Sequence, residues 1–194
     1  MAAAISVSHL RKVYSHTPGR APALDDLTLE VPPGRVYGLI GRNGAGKTTF
    51  VRIASTQLEP TSGEVRVLGY DVQGEERQIR PRIACVPQES RPLYFLNVEE
   101  VVYLYLKLRG LDSTEAHRRT RDVLEELSLT EYRRRSVSRL SGGLRRRAMC
   151  AMVLASDADV LFLDEPTTGL DPIARREVWE AIRRASRELS LIHI

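Results

Sequence analysis

Cysteine is scarce: the chain has two, Cys85 and Cys150, far apart and in apolar contexts. Their spacing carries neither a disulfide framework nor a zinc-ligand pattern, and it fits a reducing, cytosolic setting. Long apolar runs are lacking too. The longest uncharged apolar stretch of note, residues 148–156, is far short of a membrane span of ~18 residues. The start, Met1-Ala2-Ala3-Ala4-Ile5, is short and leads into polar residues, so it does not read as a secretion signal. No internal repeat or low-complexity tract is present. Charge of one sign is not in large excess: 29 Lys+Arg against 25 Asp+Glu leave a net +4. Two basic runs, 133–135 and 145–147, therefore read as solvated faces rather than as nucleic-acid or lipid patches. What remains is an ordinary globular composition, 42% hydrophobic and 28% charged, long enough for one domain or a domain plus a subdomain.

Against that plain background one stretch stands out: Gly41-Arg42-Asn43-Gly44-Ala45-Gly46-Lys47-Thr48-Thr49. It fits G-x-x-x-x-G-K-[ST] without a mismatch. The apolar run Val36-Tyr37-Gly38-Leu39-Ile40 before it predicts a buried strand, and Phe50, Ile53, Ala54 and Leu58 after it predict the inner face of a helix. A glycine-rich loop between strand and helix lets backbone N–H groups close on an oxyanion, reinforced by the helix N-terminus. Lys47 is expected to reach the outer phosphates of a nucleotide, and the Thr48 hydroxyl to ligate Mg²⁺.

The rest of the chain supplies a frame. Residues 5–8, 24–31, 65–68, 83–86 and 159–163 predict strands, with turns at Pro32-Pro33-Gly34 and Pro60-Thr61-Ser62-Gly63. From Asn97 the period becomes helical: 98–108, stopped by Gly110, then a helix started by Asp112 and Glu115 with Ala116, Val123, Leu124 and Leu127 on one face. A helix follows from Leu144 to about Ser156, and a last one from Pro172, capped by Asp171, with Ile173, Val178, Ile182 and Ala185 on one side. The expected fold is α/β: a P-loop core of mostly parallel sheet, an N-terminal antiparallel β region and an inserted helical subdomain. The expected division is 1–87 with 157–194 as core and 88–156 as the helical lobe.

Two further groups carry chemistry. Asp164 and Glu165 end an apolar strand; Asp164 would hold the metal and Glu165 would accept a proton from an attacking water. Ser141-Gly142-Gly143 opens a helix with a hydroxyl and two glycines, a second anion site. The helical lobe separates it from the chain's own loop, so a second copy arranged head to tail would bring it to the γ-phosphate.

In this arrangement the chain resembles the nucleotide-binding domain of an ABC (ATP-binding cassette) transporter, over about residues 5–187. Residues 41–48 resemble its Walker A loop, Gln88 its Q-loop, Leu140-Ser141-Gly142-Gly143 its signature, and Asp171 with Gly169-Leu170 and Pro172 its D-loop. Residues 160–164 with Glu165 resemble Walker B and the catalytic glutamate, and Tyr14 the aromatic that stacks on adenine. The resemblance implies that two such domains sandwich two ATP molecules with Mg²⁺. Gln88 would contact the metal and γ-phosphate and relay them to a membrane permease subunit. The domain would sit in the cytoplasm, peripheral on the inner face of the cell membrane through that permease, with no nucleic-acid partner. The 104–110 stretch and the basic signature helix look most like exporters of drugs, lipids or polysaccharides.

The sequence departs from the family pattern in two places. Leu144 stands where the signature ends in Gln. His193 follows Glu165 by 28 residues without the usual Ser/Thr or glycine turn, and reads as not the switch histidine. The final strand and C-terminal helices are expected to be missing. The Ser-Leu-Ile-His-Ile ending resembles translated adapter read-through, and truncation predicts ATP–Mg²⁺ binding with poor hydrolysis and a core strand lacking its neighbour. The competing readings are a non-transport ABC ATPase, a GTPase or small-molecule kinase, and an ATP-gated dimerisation module. The first lacks its zinc insert or coiled coil between Thr48 and Ser141; the second lacks Asn-Lys-x-Asp.

Overall fold

The computed structural model describes residues 3–14, 21–86, 95–156, 158–185 and 190–193. The chain forms two compact units. The first comprises Met1–Cys85, Asp159–Phe162 and Glu188–Ile194; the second comprises Val86–Ala158 and Leu163–Arg187.

The first unit holds two sheets. Strands β1 (Ile5–Lys12), β2 (Leu24–Val31), β4 (Ser62–Val67) and β5 (Tyr70–Asp71) form an antiparallel sheet in the order β2-β1-β4-β5. The β4–β5 hairpin turns through Leu68 and Gly69, both at positive φ, as a two-residue loop requires. The second sheet has the order β3-β8-β7-β6, from β3 (Val36–Gly38), β6 (Ile83–Val86), β7 (Val160–Leu163) and β8 (Ser190–His193). Helix α1 (Lys47–Ala54) buries Phe50, Val51, Ile53 and Ala54 in a core with Ile5, Val7, Val65, Val67, Val160 and Phe162. Short helix α2 (Glu76–Ile79) adds Ile79 to it.

Three expectations need correction here. The strand before the loop is not buried. β3 sits at the sheet edge, Val36 is 42% exposed and Ile40 99% exposed. Apolar composition alone cannot tell an edge strand from a central one. Leu58 lies beyond α1, which stops at Ala54, where Ser55 caps it and Thr56 turns the chain at φ 60°. The final strand is not missing: β8 lies between β3 and β7, so the core sheet has that neighbour, pairing in parallel with β3, Leu191 opposite Val36 and His193 opposite Gly38.

The second unit is helical. Helix α3 (Val98–Leu108) starts at a capping box in which Asn97 accepts from the Glu100 amide and Glu100 accepts from the Asn97 amide. It buries Val98, Val101, Val102 and Leu106. Helix α4 (Ser113–Glu126), capped by Asp112, buries Ala116, Val123 and Leu124. Helices α5 (Gly142–Leu154) and α6 (Pro172–Ala185) pack on each other, and α3 and α4 both pack on α5. Val178 and Ile182 of α6 are fully buried, but Ile173 is 67% exposed: in the first turn it points away from the helix contact. No helix among the described residues is long and apolar enough to cross a membrane.

Candidate functional site

In the first unit the phosphate-type loop has the conformation its glycines predict. Gly44 and Gly46 sit at φ 81° and 85°, and α1 begins at Lys47 directly after Gly46. A Cβ on Gly46 would fall 2.3 Å from the Ala23 carbonyl oxygen, so the start of β2 is packed against the loop and only glycine fits. A Cβ on Gly44 would meet open space. Lys47 folds back and donates to the carbonyls of Gly41 (2.8 Å) and Arg42 (3.2 Å). Its ammonium is thereby held over the loop rather than extended into solvent. Asn43 and Ala45 are exposed along the turn, and Thr48 and Thr49 are half-buried in the first turn of α1.

Tyr14 is brought to this loop. Its hydroxyl lies 3.3 Å from the Thr49 Oγ1, and the Lys12 ammonium lies 5.5 Å from its ring centroid. Tyr14 remains 43% exposed. An exposed aromatic beside a phosphate-type loop suits a stacked base.

In the second unit Ser141 is the N-cap of α5, its hydroxyl accepting from the Leu144 amide at 3.3 Å. Ser141 and Gly142 are exposed, while Gly143 packs against Leu170 and the Gly169 carbonyl. Asp164, 3% exposed, follows β7, and its amide donates to the Val86 carbonyl at 3.0 Å. Glu165 adopts φ 48°, rare for a residue with a Cβ, and its carboxylate accepts from the Thr168 hydroxyl at 3.0 Å. Asp171 caps α6, accepting from the Ile173 and Ala174 amides at 3.0 Å each. Those amide bonds, the Ala174 bond foremost, with Arg147 nearby, hold its carboxyl below the usual aspartate range. Gln88 lies outside the described residues.

The structure therefore places Tyr14 and residues 41–49, Thr48 among them, in one unit, and Ser141–Gly143, Asp164, Glu165 and Asp171 in the other. Among the described residues no group of three His, Cys, Asp or Glu side chains could hold a metal. Hydroxyl and carboxylate oxygens, such as Thr48 offers in the first unit and Asp164 in the second, are each the donor type that Mg²⁺ takes. Cys85 and Cys150 are free thiols, and burial pushes the Cys150 thiol up to about 12.

The run 145–147 is not the solvated face expected from its charge. All three arginines are half-buried. Arg145 donates to the Leu140 carbonyl, Arg146 to the carbonyls of Asp164 and Glu165, and Arg147 pairs with Glu177 at 2.9 Å. Arg146 and Thr168 are contacts of the site that the sequence reading missed. The signal available was position: Arg146 lies five residues into the signature helix, on a face the charge run disguised.

Comparison with known proteins agrees with this geometry. The family model described as "ABC transporter" matches residues 24–168. The daunorubicin resistance ATP-binding protein DrrA3 of Streptomyces coeruleorubidus is 42% identical over 93% of this chain and 56% of its own length. The phospholipid-transporting ATPase ABCA3 of Rattus norvegicus is 32% identical over 99% of this chain and 11% of its own. The chain spans about half the length of the drug-resistance relatives it matches. Among solved structures, an ATP-binding subunit of an ABC transporter superposes with a TM-score of 0.87 at 26% identity, covering 97% of this chain and 78% of that one. A dimeric post-hydrolysis ATP-binding cassette bound to ADP and Pi shares the fold, with a TM-score of 0.87 at 22% identity, covering 97% of this chain and 87% of that one. With the loop at 41–49 and the cap at Ser141 in place, the chain belongs to the ABC transporter family, as an ATP-binding cassette.

Proposed function

We propose that the chain binds and hydrolyses ATP to power an exporter of amphipathic molecules such as drugs or lipids. The observation that carries the reading is the loop itself: left-handed Gly46 locked against Ala23, with Lys47 opening α1. The names of the relatives, drug-resistance ATP-binding proteins and a phospholipid-transporting ATPase, support the exporter class.

In this reading the backbone of 41–48 and Lys47 hold the phosphates, and Tyr14 stacks on the base. Thr48, Asp164 and Gln88 would hold Mg²⁺, which neutralises phosphate charge when bound. Glu165 orients the attacking water and accepts its proton. Ser141, Gly142 and Gly143 of a second cassette complete the site, with Asp171 at the junction. The working assembly is a pair of cassettes, each made of a core and a helical lobe, docked on a membrane permease at the cytoplasmic face. No nucleic acid takes part.

Titration with a fluorescent ATP analogue in the presence of Mg²⁺ tests the reading. Saturable binding, displaced by ATP and lost by at least ten-fold in Lys47→Ala, is expected. Equal affinity of Lys47→Ala and wild type would sink it.

A further inference from the structure

Helix α5 meets the segment that follows β7 along one face. Gly143 packs against Leu170 and the Gly169 carbonyl, three residues on Arg146 donates to the carbonyls of Asp164 and Glu165, and four further on the Cys150 thiol lies 3.8 Å from the Pro166 carbonyl. Positions 143, 146 and 150 follow the i, i+3, i+7 rule, so they share one stripe of the helix. Arg146 is the one charged member. Its Nη2 serves both carbonyls, with 2.8 Å to that of Glu165. Glu165 is thus held at its backbone by Arg146 and at its carboxylate by Thr168, in a left-handed conformation that costs energy unless the surroundings fix it.

We propose that Arg146 is a positioning residue that ties the helix opened by Ser141 to the backbone carrying Asp164 and Glu165. This rests on the reading above, in which Ser141 serves a partner's nucleotide while Glu165 serves the chain's own. Arg146 then links the two ATP sites of a pair through about one helical turn. An anion seated at the Ser141 end bears on α5, and α5 bears on the Glu165 carbonyl through a charge-assisted hydrogen bond. Releasing that bond leaves the Glu165 carbonyl only the Thr168 amide, at 3.2 Å, as its partner, and small displacements of a catalytic group cost large factors in rate.

The test is single-turnover hydrolysis of bound ATP in the 194-residue chain, followed long enough to resolve the slow rate expected of it, with ATP affinity measured separately. Arg146→Met should slow hydrolysis at least ten-fold while ATP affinity stays within two-fold, and Arg146→Lys should recover most of the rate. Loss of affinity in proportion to rate, or a Met variant as fast as wild type, would overturn the proposal. If Arg146→Met melts below the assay temperature, Arg146→Gln decides: a slower step at unchanged affinity supports the link, and an unchanged rate overturns it. A wild-type chain that binds no ATP would instead remove the functional reading itself, a result separable from either outcome.

Discussion

Gly46 and Gly44 look alike in the sequence and in their backbone angles, yet the structure separates them. At Gly46 an added Cβ collides with a backbone carbonyl at 2.3 Å and with the Leu24 side chain at 2.7 Å; at Gly44 it meets nothing within 4 Å. The cost at Gly44 is backbone strain alone, about 1 kcal/mol. At Gly46 the clash adds to the strain, and the carbonyl cannot swing away like a side-chain tip. Gly46→Ala is expected to lose at least about 2 kcal/mol of stability, and Gly44→Ala about half that or less, in urea unfolding. Equal losses would refute the argument from space. The motif residues were legible because their chemistry is local: the glycines permit left-handed turns and Lys47 follows them at fixed spacing. Arg146 was not, since its carbonyl partners lie 18 and 19 residues away in the sequence. Ile40 was misread for the same reason: its burial depends on what a fold places beside it.

Elements signalled at both ends fit best, whereas α5, expected from Leu144 to about Ser156, runs from Gly142 to Leu154. Helix α3 runs from Val98 to Leu108 as expected, because Asn97 and Glu100 close a capping box and Gly110 ends the run at φ 93°. Helix α1 was overextended, because nothing in the periodicity marks Thr56 as left-handed. Helix α4 offers a test through pH. Arg118 and then Arg119 donate to Glu115, drawing its carboxyl from 4.5 down to about 2. A lowered folded-state value means the carboxylate stabilises the fold above about pH 4.5, and that this contribution fades as pH falls through about 2. Wild type should therefore melt above Glu115→Gln at neutral pH, and the two curves should converge by about pH 2. Because the Glu115 side chain is only half-buried, 30% exposed, added salt should narrow the gap at neutral pH. A gap independent of pH would remove the ion-pair explanation.

At the scale of the molecule, each unit carries part of the proposed chemistry: the loop and Tyr14 in one, the Ser141 cap with Asp164 and Glu165 in the other. Each chain also carries a net +4, so two copies repel until anions intervene. Proposed ATP binding supplies such anions at the exposed Ser141 and Gly142 end of a partner's α5. To move a population from about 1% to 99% paired, ligands must favour the pair by about 10⁴, or about 5.5 kcal/mol. Two nucleotides share that, so each needs only about a hundred-fold preference for the closed pair, within reach of one phosphate held by a helix N-terminus and a hydroxyl. Glu165→Gln should bind ATP but retain it unhydrolysed, trapping the pair. In light scattering after gel filtration with ATP and Mg²⁺, that variant is expected at twice the 21.8 kDa of the chain, and at the single mass without ATP. Adding Ser141→Arg to Glu165→Gln, which puts a bulky side chain at the cap, should return it to the single mass while leaving ATP binding in place. If Glu165→Gln stays at the single mass with saturating ATP, the site is not shared between copies, and the link through Arg146 has no second site to reach.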